Sequence, residues 1–174
     1  MNTVSISRFT PSTMSAELLE RLFVVRKPIL EALMKRVKAL GRTPSPHHTL
    51  LVGPRGAGKT HLISLVYHRC KSLGKTGDGK PLRIAWLPED PWTLVSYGRL
   101  LAAILERVVP DFDNQKIAEP ELDAHIRHTS REDGPILVLA ENLDQILEAL
   151  GDSGQQKLRN LLQTEPDILV IATT

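Results

Sequence analysis

Residues 53–60, Gly-Pro-Arg-Gly-Ala-Gly-Lys-Thr, constrain this chain more than any other stretch. They fit G-x-x-x-x-G-K-[ST] at every fixed position. They also lie between the short apolar run Thr49 to Val52 and a segment, His61 to Lys71, that spaces Leu62, Leu65, Val66 and Arg69 for one helix face against a sheet. Glycines in such a loop let the backbone curl until successive N–H groups point at one centre, and the following helix adds the positive end of its dipole. A phosphate group satisfies both. The pattern predicts that Gly53, Pro54, Arg55, Gly56, Ala57, Gly58, Lys59, Thr60 and His61 hold a nucleotide. Lys59 would reach the β and γ phosphates, and the Thr60 hydroxyl would ligate Mg²⁺. The competing reading is a glycine-rich turn with no ligand.

The rest of the chain alternates in the same way. A polar, Ser- and Thr-rich arm covers residues 1–14, and Ser15 caps a short helix through Arg21. Lys27 to Leu40 puts Ile29, Leu33, Val37 and Leu40 at helical spacing, with Pro28 in the first turn and Gly41 at the stop. After the phosphate loop and its helix, Ser72 to Pro81 reads as a mobile, glycine-containing loop, Leu82 to Leu87 as a strand, and Trp92 to Val109 as a long helix. A helix over Glu119 to Arg127 lies in a polar, acidic stretch. Ile136 to Ala140 is apolar at every position, the pattern of a strand buried on both faces. Helical runs Asp144 to Leu150 and Gln155 to Gln163 flank a break at Gly151 to Gly154, and Asp167 to Thr174 is another buried strand. Strands alternating with helices predict an α/β fold with a mostly parallel sheet. Ligands of such sheets bind beyond the carboxyl ends of the strands. The last strand ends at the last residue, so a core truncated at this edge is expected.

A length of 174 residues suits one domain with its own core. The single cysteine, Cys70, excludes a disulfide framework and a multi-cysteine zinc site within one chain, and fits a reducing cytoplasm. The N-terminus lacks the basic stretch and apolar run of a signal peptide, and no run approaches a membrane span, so no membrane partner is expected. Net charge is only +2, but residues 1–60 hold 10 Lys and Arg against 3 Asp and Glu, whereas residues 111–174 hold 5 against 13. The basic third suits nucleic acid or phosphate. Equally, Arg26, Lys27, Lys35, Arg36 and Lys38 suit the solvated face of a helix.

An acidic residue at the end of a buried strand is the usual partner of a phosphate loop, and Ala140-Glu141-Asn142-Leu143-Asp144 supplies one. At this point the chain resembles the AAA+ and STAND-like ATPases, in particular the initiator-type and transposition-type group. The resemblance rests on the phosphate loop, the acidic strand end, the final Thr173-Thr174, and Phe23-Val24-Val25-Arg26, which looks like the family's base-contacting box with Val25 where glycine is usual. It implies a three-layer P-loop NTPase fold that lacks the last core strand and the helical lid. Residues 1–26 would be an arm and base-contacting segment, and 27–174 the ATPase core. The implied cofactors are ATP and Mg²⁺, and the implied partners are ATP or ADP, a second copy or another protein, and DNA.

The family pattern after the strand is Asp-Glu-x-Asp. Setting Asp144 on its last position puts Glu141 on the metal-organising place and Asn142 on that of the general base. An amide cannot take a proton at neutral pH, so this register predicts slow hydrolysis and the behaviour of a switch. Shifting by one residue makes Glu141 the base, with Ala140 on the metal-organising place. The resemblance also places a γ-phosphate sensor at Thr173 or Thr174, although strand-end threonines are common for their β propensity alone.

Other residues have plainer readings. Glu89-Asp90 suits a helix start. His125 and His128 share a helix face but lack a third metal ligand. His47 and His48 read as solvated, Trp86 and Trp92 as packing residues, and Cys70 as inert. The competing functions are a nucleotide switch, a competent ATPase acting on nucleic acid or protein complexes, and, less expected, a small-molecule kinase, which would need a substrate-binding segment and an arginine-bearing lid after the core. No Asn-Lys-x-Asp guanine-reading segment occurs.

Overall fold

Four apolar runs become strands: β1 (Thr49–Leu51), β2 (Arg83–Leu87), β3 (Ile136–Ala140) and β4 (Ile168–Thr173). They form one sheet in the order β1-β4-β3-β2, with every pairing parallel. The structure is a computed structural model, and it describes residues 14–23, 26–87, 95–113 and 117–174. β3 lies between β4 and β2 and is buried along its whole length, as its uniformly apolar sequence requires.

A parallel sheet needs helices on both faces. Helices α1 (Ala16–Leu22), α2 (Lys27–Ala39) and α3 (Lys59–Leu73) cover one, and α4 (Tyr97–Val108), α5 (Glu119–His128) and α6 (Leu143–Thr164) cover the other. The architecture is therefore the expected three-layer α/β fold. Strand periodicity sorts side chains between the layers. Ile136, Val138 and Ala140 pack under α4 to α6, whereas Leu137 and Leu139 pack under α1 to α3. On β2 the same rule sends Ala85 and Leu87 one way and Ile84 and Trp86 the other. Each fully buried Leu or Ile contributes roughly 1.5–3 kcal/mol relative to exposure.

Several local expectations change. The buried face of α2 is Leu30, Leu33, Met34 and Val37, rotated so that Ile29 is exposed. Packing against both α3 and the sheet selects this stripe over the one through Ile29. Arg69 does not face the sheet; it forms a two-pronged bond to Glu20 of α1, at 2.7 and 2.9 Å. Ser72 to Pro81 is pinned rather than mobile. Lys75 and Pro81 form an antiparallel bridge, Thr76 is buried, and the Gly77 N–H donates to Lys38 O at the end of α2. A Cβ on Gly77 would lie 2.5 Å from that carbonyl, so the contact requires glycine. The expected break at 151–154 is present: α6 is two helical runs that meet at a kink, where Gly151 is non-helical (φ 60°, ψ −179°). One π-helical turn, Thr129–Asp133, extends α5. Helix α4 is seen from its Ser96 cap onward, whose hydroxyl accepts the Arg99 N–H at 3.3 Å. Of the expected arm 1–14, residues 1–13 lie outside the described residues, as do Val24-Val25, Glu89-Asp90 and Trp92, whereas Met14 is buried in the core with α1 to α3.

The end of α6 is fastened by charge. Glu165 is fully buried and accepts from Arg127 at 2.7 Å and Arg131 at 2.6 Å, while Arg127 also donates to Asp123 and Thr164. Two guanidiniums compensate the desolvation of one carboxylate.

Candidate functional site

Residues 53–60 leave β1 and enter α3 at the carboxyl end of the sheet. Gly56 (φ 79°) and Gly58 (φ 78°) both take left-handed backbone, and nothing lies within 4 Å of where a Cβ would sit on either. Glycine is thus required by conformation, and the space beside the loop stays open. Gly58 caps α3 with no side chain to satisfy the first-turn N–H groups. Those donors and the helix dipole suit an anion. The Lys59 ammonium is folded over the loop, donating to Gly53 O at 2.6 Å and Pro54 O at 3.1 Å. Pro54 and Arg55 are exposed at the tip.

Thr60 lies in the first turn of α3, and its hydroxyl donates to Glu141 Oε2 at 2.6 Å. Glu141 is almost fully buried, at 3% exposure, although it is a carboxylate. Its backbone N–H continues the sheet ladder to Leu87 O at 3.3 Å, and its other oxygen, Oε1, accepts from the Trp86 indole Nε1–H at 3.3 Å. The periodicity of β3 explains the placement. Leu137 and Leu139 point toward α3, so the next residue of that parity, Glu141, meets Thr60.

Asn142 takes left-handed backbone (φ 51°, ψ 52°), a conformation Asn tolerates better than most, and opens α6 without a side-chain cap. Its N–H donates to Thr173 Oγ1 at 3.4 Å. Thr173 is buried, and strand parity puts it on the α3 side with Leu169 and Ile171. Thr174 has the opposite parity, and its N–H bonds Leu51 O at 3.3 Å. The His61 side chain turns away from the loop. Its Nε2–H donates to Leu19 O at 2.9 Å, and its ring lies 5.6 Å from that of Phe23, which is itself buried. Phe23, the first residue of the segment expected to contact a base, therefore abuts the first turn of α3.

The structure brings together Lys59, Thr60 and Glu141 with the glycine loop, and adds Trp86, which the sequence reading had assigned to packing. Its signal was available: Trp86 has the same face parity as Glu141 on the neighbouring strand. His125 does not join it; its Nδ1–H donates to Glu121 O at 2.8 Å. Among the described residues no cluster of His, Cys, Asp or Glu could hold a metal by itself, and no helix is long and apolar enough to cross a membrane. Burial pushes the Cys70 thiol up to about 12, far from a reactive thiolate. A cavity of about 900 Å³ lies on the opposite face of the sheet, between α6 and the connector before β1, and no residue of the phosphate loop lines it.

No family profile matches the sequence, and no curated protein does. Solved structures do match. The Aeropyrum pernix ORC2 protein in ADPNP–ADP complexes superposes with a TM-score of 0.70 at 14% identity, over 87% of this chain and 41% of that one. The fold is the three-layer α/β fold of these structures. Drosophila ORC bound to DNA matches at 0.66 and 20% identity, over 91% of this chain and 39% of that one. The Aeropyrum pernix ORC1 protein in complex with DNA matches at 0.64 and 20% identity, over 90% and 40%. This chain spans about 40% of the length of those chains.

Proposed function

We propose that this AAA+ fold serves as an ATP-binding switch with slow Mg²⁺-dependent hydrolysis. The observation that carries the reading is the 2.6 Å contact between the Thr60 hydroxyl and the Glu141 carboxylate, beside a loop whose glycines open N–H groups to an anion. Two hard oxygen donors held side by side fit Mg²⁺, which takes few protein ligands and completes its shell with water and phosphate. Thr60 and Glu141 would hold it. When bound, the ion neutralises charge between the phosphates. Lys59 exchanges its two loop carbonyls for β and γ phosphate oxygens, and the α3 amino end takes the remaining charge. This arrangement supports the register in which Glu141 organises the metal and Asn142 follows at the place of the base. An amide orients water without taking its proton, so turnover is slow. Thr173, bonded to the Asn142 backbone, is placed better than Thr174 to register the γ phosphate.

Titrating ATP onto the purified chain with Mg²⁺, with Lys59→Ala as control and phosphate release followed in parallel, tests this. Binding that needs Lys59, with turnover far below the ~1–1000 s⁻¹ of ordinary enzymes, is expected. Absence of binding by the unaltered chain refutes the reading. In the second reading Glu141 is the base of a competent ATPase. Glu141→Gln then keeps Mg²⁺-dependent binding and stops turnover, whereas the switch reading has it weaken Mg²⁺-dependent binding.

DNA is proposed as a partner on the exposure of Lys27, Lys35 and Lys38 along α2 and the DNA-bound state of two similar structures. A binding constant that does not fall with salt removes it. Self-association through nucleotide state is the companion proposal, read by sedimentation with and without ATP.

A further inference from the structure

We propose that Trp86 is a positioning residue for Glu141, its indole N–H fixing the carboxylate that takes the cation; this rests on the nucleotide reading above. A glutamate has three side-chain torsions, and each hydrogen bond to its carboxylate narrows the rotation of the head group. The Trp86 Nε1–H at 3.3 Å from Oε1 engages the second oxygen, so both are directed. The donor is itself held. Its ring lies 4.8 Å from that of Tyr67 on α3, and its carbonyl accepts from Arg107 Nε at 2.7 Å. Trp86 pairs in register with Leu139, and Leu87 O takes the Glu141 N–H, so the strand that carries the indole also fixes the backbone of the carboxylate.

The chemistry of the donor matters. Lys or Arg at this place would form an ion pair and cancel the charge a cation needs, while an indole donates one hydrogen bond and leaves the carboxylate its full charge. A phenyl ring would pack against Tyr67 equally well but could not direct Oε1. The inference therefore concerns the N–H and not the ring.

The test measures ATP affinity by equilibrium dialysis in EDTA and across a Mg²⁺ titration, for the unaltered chain, Trp86→Phe, and a chain carrying benzothienylalanine at position 86, which keeps the bicyclic shape and replaces N–H with sulfur. The expected result is unchanged affinity in EDTA and a loss of about tenfold in the Mg²⁺-dependent gain for both variants. Equal Mg²⁺ dependence in all three proteins overturns the proposal. A parallel fall in EDTA and in Mg²⁺ also overturns it, because that is the mark of a general packing role. If Trp86→Phe fails to fold, the isosteric variant decides alone. Failure of the unaltered chain to bind ATP under either condition removes the nucleotide reading and this inference with it, whereas binding with no effect at position 86 removes the inference only.

Discussion

Gly134 precedes β3 with φ 124°, ψ 158°, a region nearly restricted to glycine, and a Cβ there would lie 2.2 Å from Pro81 O. Ordinary carbon–oxygen approach is about 3.3 Å, so Gly134→Ala demands a shift of roughly 1 Å. Pro81 cannot easily supply it. It is bridged to Lys75, the following N–H of Leu82 bonds Gly74 O at 3.0 Å, and the Arg83 N–H bonds Pro135 O at 2.9 Å. Backbone strain of ~1–3 kcal/mol and overpacking of ~1–3 kcal/mol combine to about 4 kcal/mol. Gly79→Ala is the matched control. Its φ of 87° is also left-handed, but nothing lies within 4 Å of the added methyl, so strain alone acts and costs ~1–2 kcal/mol. For a chain of this size a kcal/mol moves the melting temperature by about 2–4 °C, giving a fall of roughly 8–16 °C for Gly134→Ala against about 2–8 °C for Gly79→Ala. Thermal unfolding followed by circular dichroism reads both. Equal shifts would refute the argument that the close approach to Pro81 fixes the start of β3.

Three other outcomes follow from the same geometry. Arg127→Met lowers stability by about 2–3 kcal/mol in urea unfolding, because it takes one guanidinium from buried Glu165 and also the bonds to Asp123 and Thr164, and it costs more than Arg131→Met; side-chain exposures of 23% and 57% set that order, and equal effects would contradict it. His48 accepts the Val170 N–H at Nδ1 and donates from Nε2 toward Leu162 O, and loss of hydration holds its pKa below the ordinary 6.5. The unfolded chain therefore takes the proton first: this contribution is complete above about pH 6.5 and is lost as pH falls through that value, so the melting-temperature gap between the unaltered chain and His48→Gln should narrow from pH 7.5 to 5.5, and a constant gap would refute it. Asn142→Glu, which adds a proton acceptor at the place of the base, should raise phosphate release by ~100-fold or more without tightening ATP binding; unchanged release would move the base elsewhere.

The sheet and the phosphate loop were legible because each depends on local pattern. Five apolar residues in β3 leave no solvent face, and G-x-x-x-x-G-K-T states a backbone conformation almost directly. What escaped depended on distant contacts. The turn over Ser72 to Pro81 looked mobile from its glycines, yet Gly77 is there because α2 ends against it, a relation between residues 38 and 77 that no local window contains. On α2 the expected Leu33, Val37 and Leu40 are buried, but Ile29 is exposed and Leu30 and Met34 take its share of the face. Arg69 fitted the helical stripe of α3, but Glu20 across a separate helix claimed its guanidinium.

Site and sheet meet in a parity argument. In a strand the side chain alternates faces, so the residues at the carboxyl ends of β2, β3 and β4 that face α3 are settled once one of them is known. Leu139 is buried under α3, hence Glu141 faces it; Leu139 pairs with Trp86 and with Ile171, hence Trp86 and the residue two beyond Ile171, Thr173, face it too. Three polar groups from three strands are thereby gathered on the side where the phosphate loop ends, and one-residue slips would scatter them into the α4 to α6 layer. Thr173 and Thr174 differ by one residue and therefore by one face, and Thr173 is the one on the α3 side, where it accepts the Asn142 N–H. Insertion of a single residue between Val138 and Glu141 should accordingly abolish Lys59-dependent nucleotide binding even where circular dichroism still reports an α/β fold, and retention of that binding would show that the face of the strand does not decide the site.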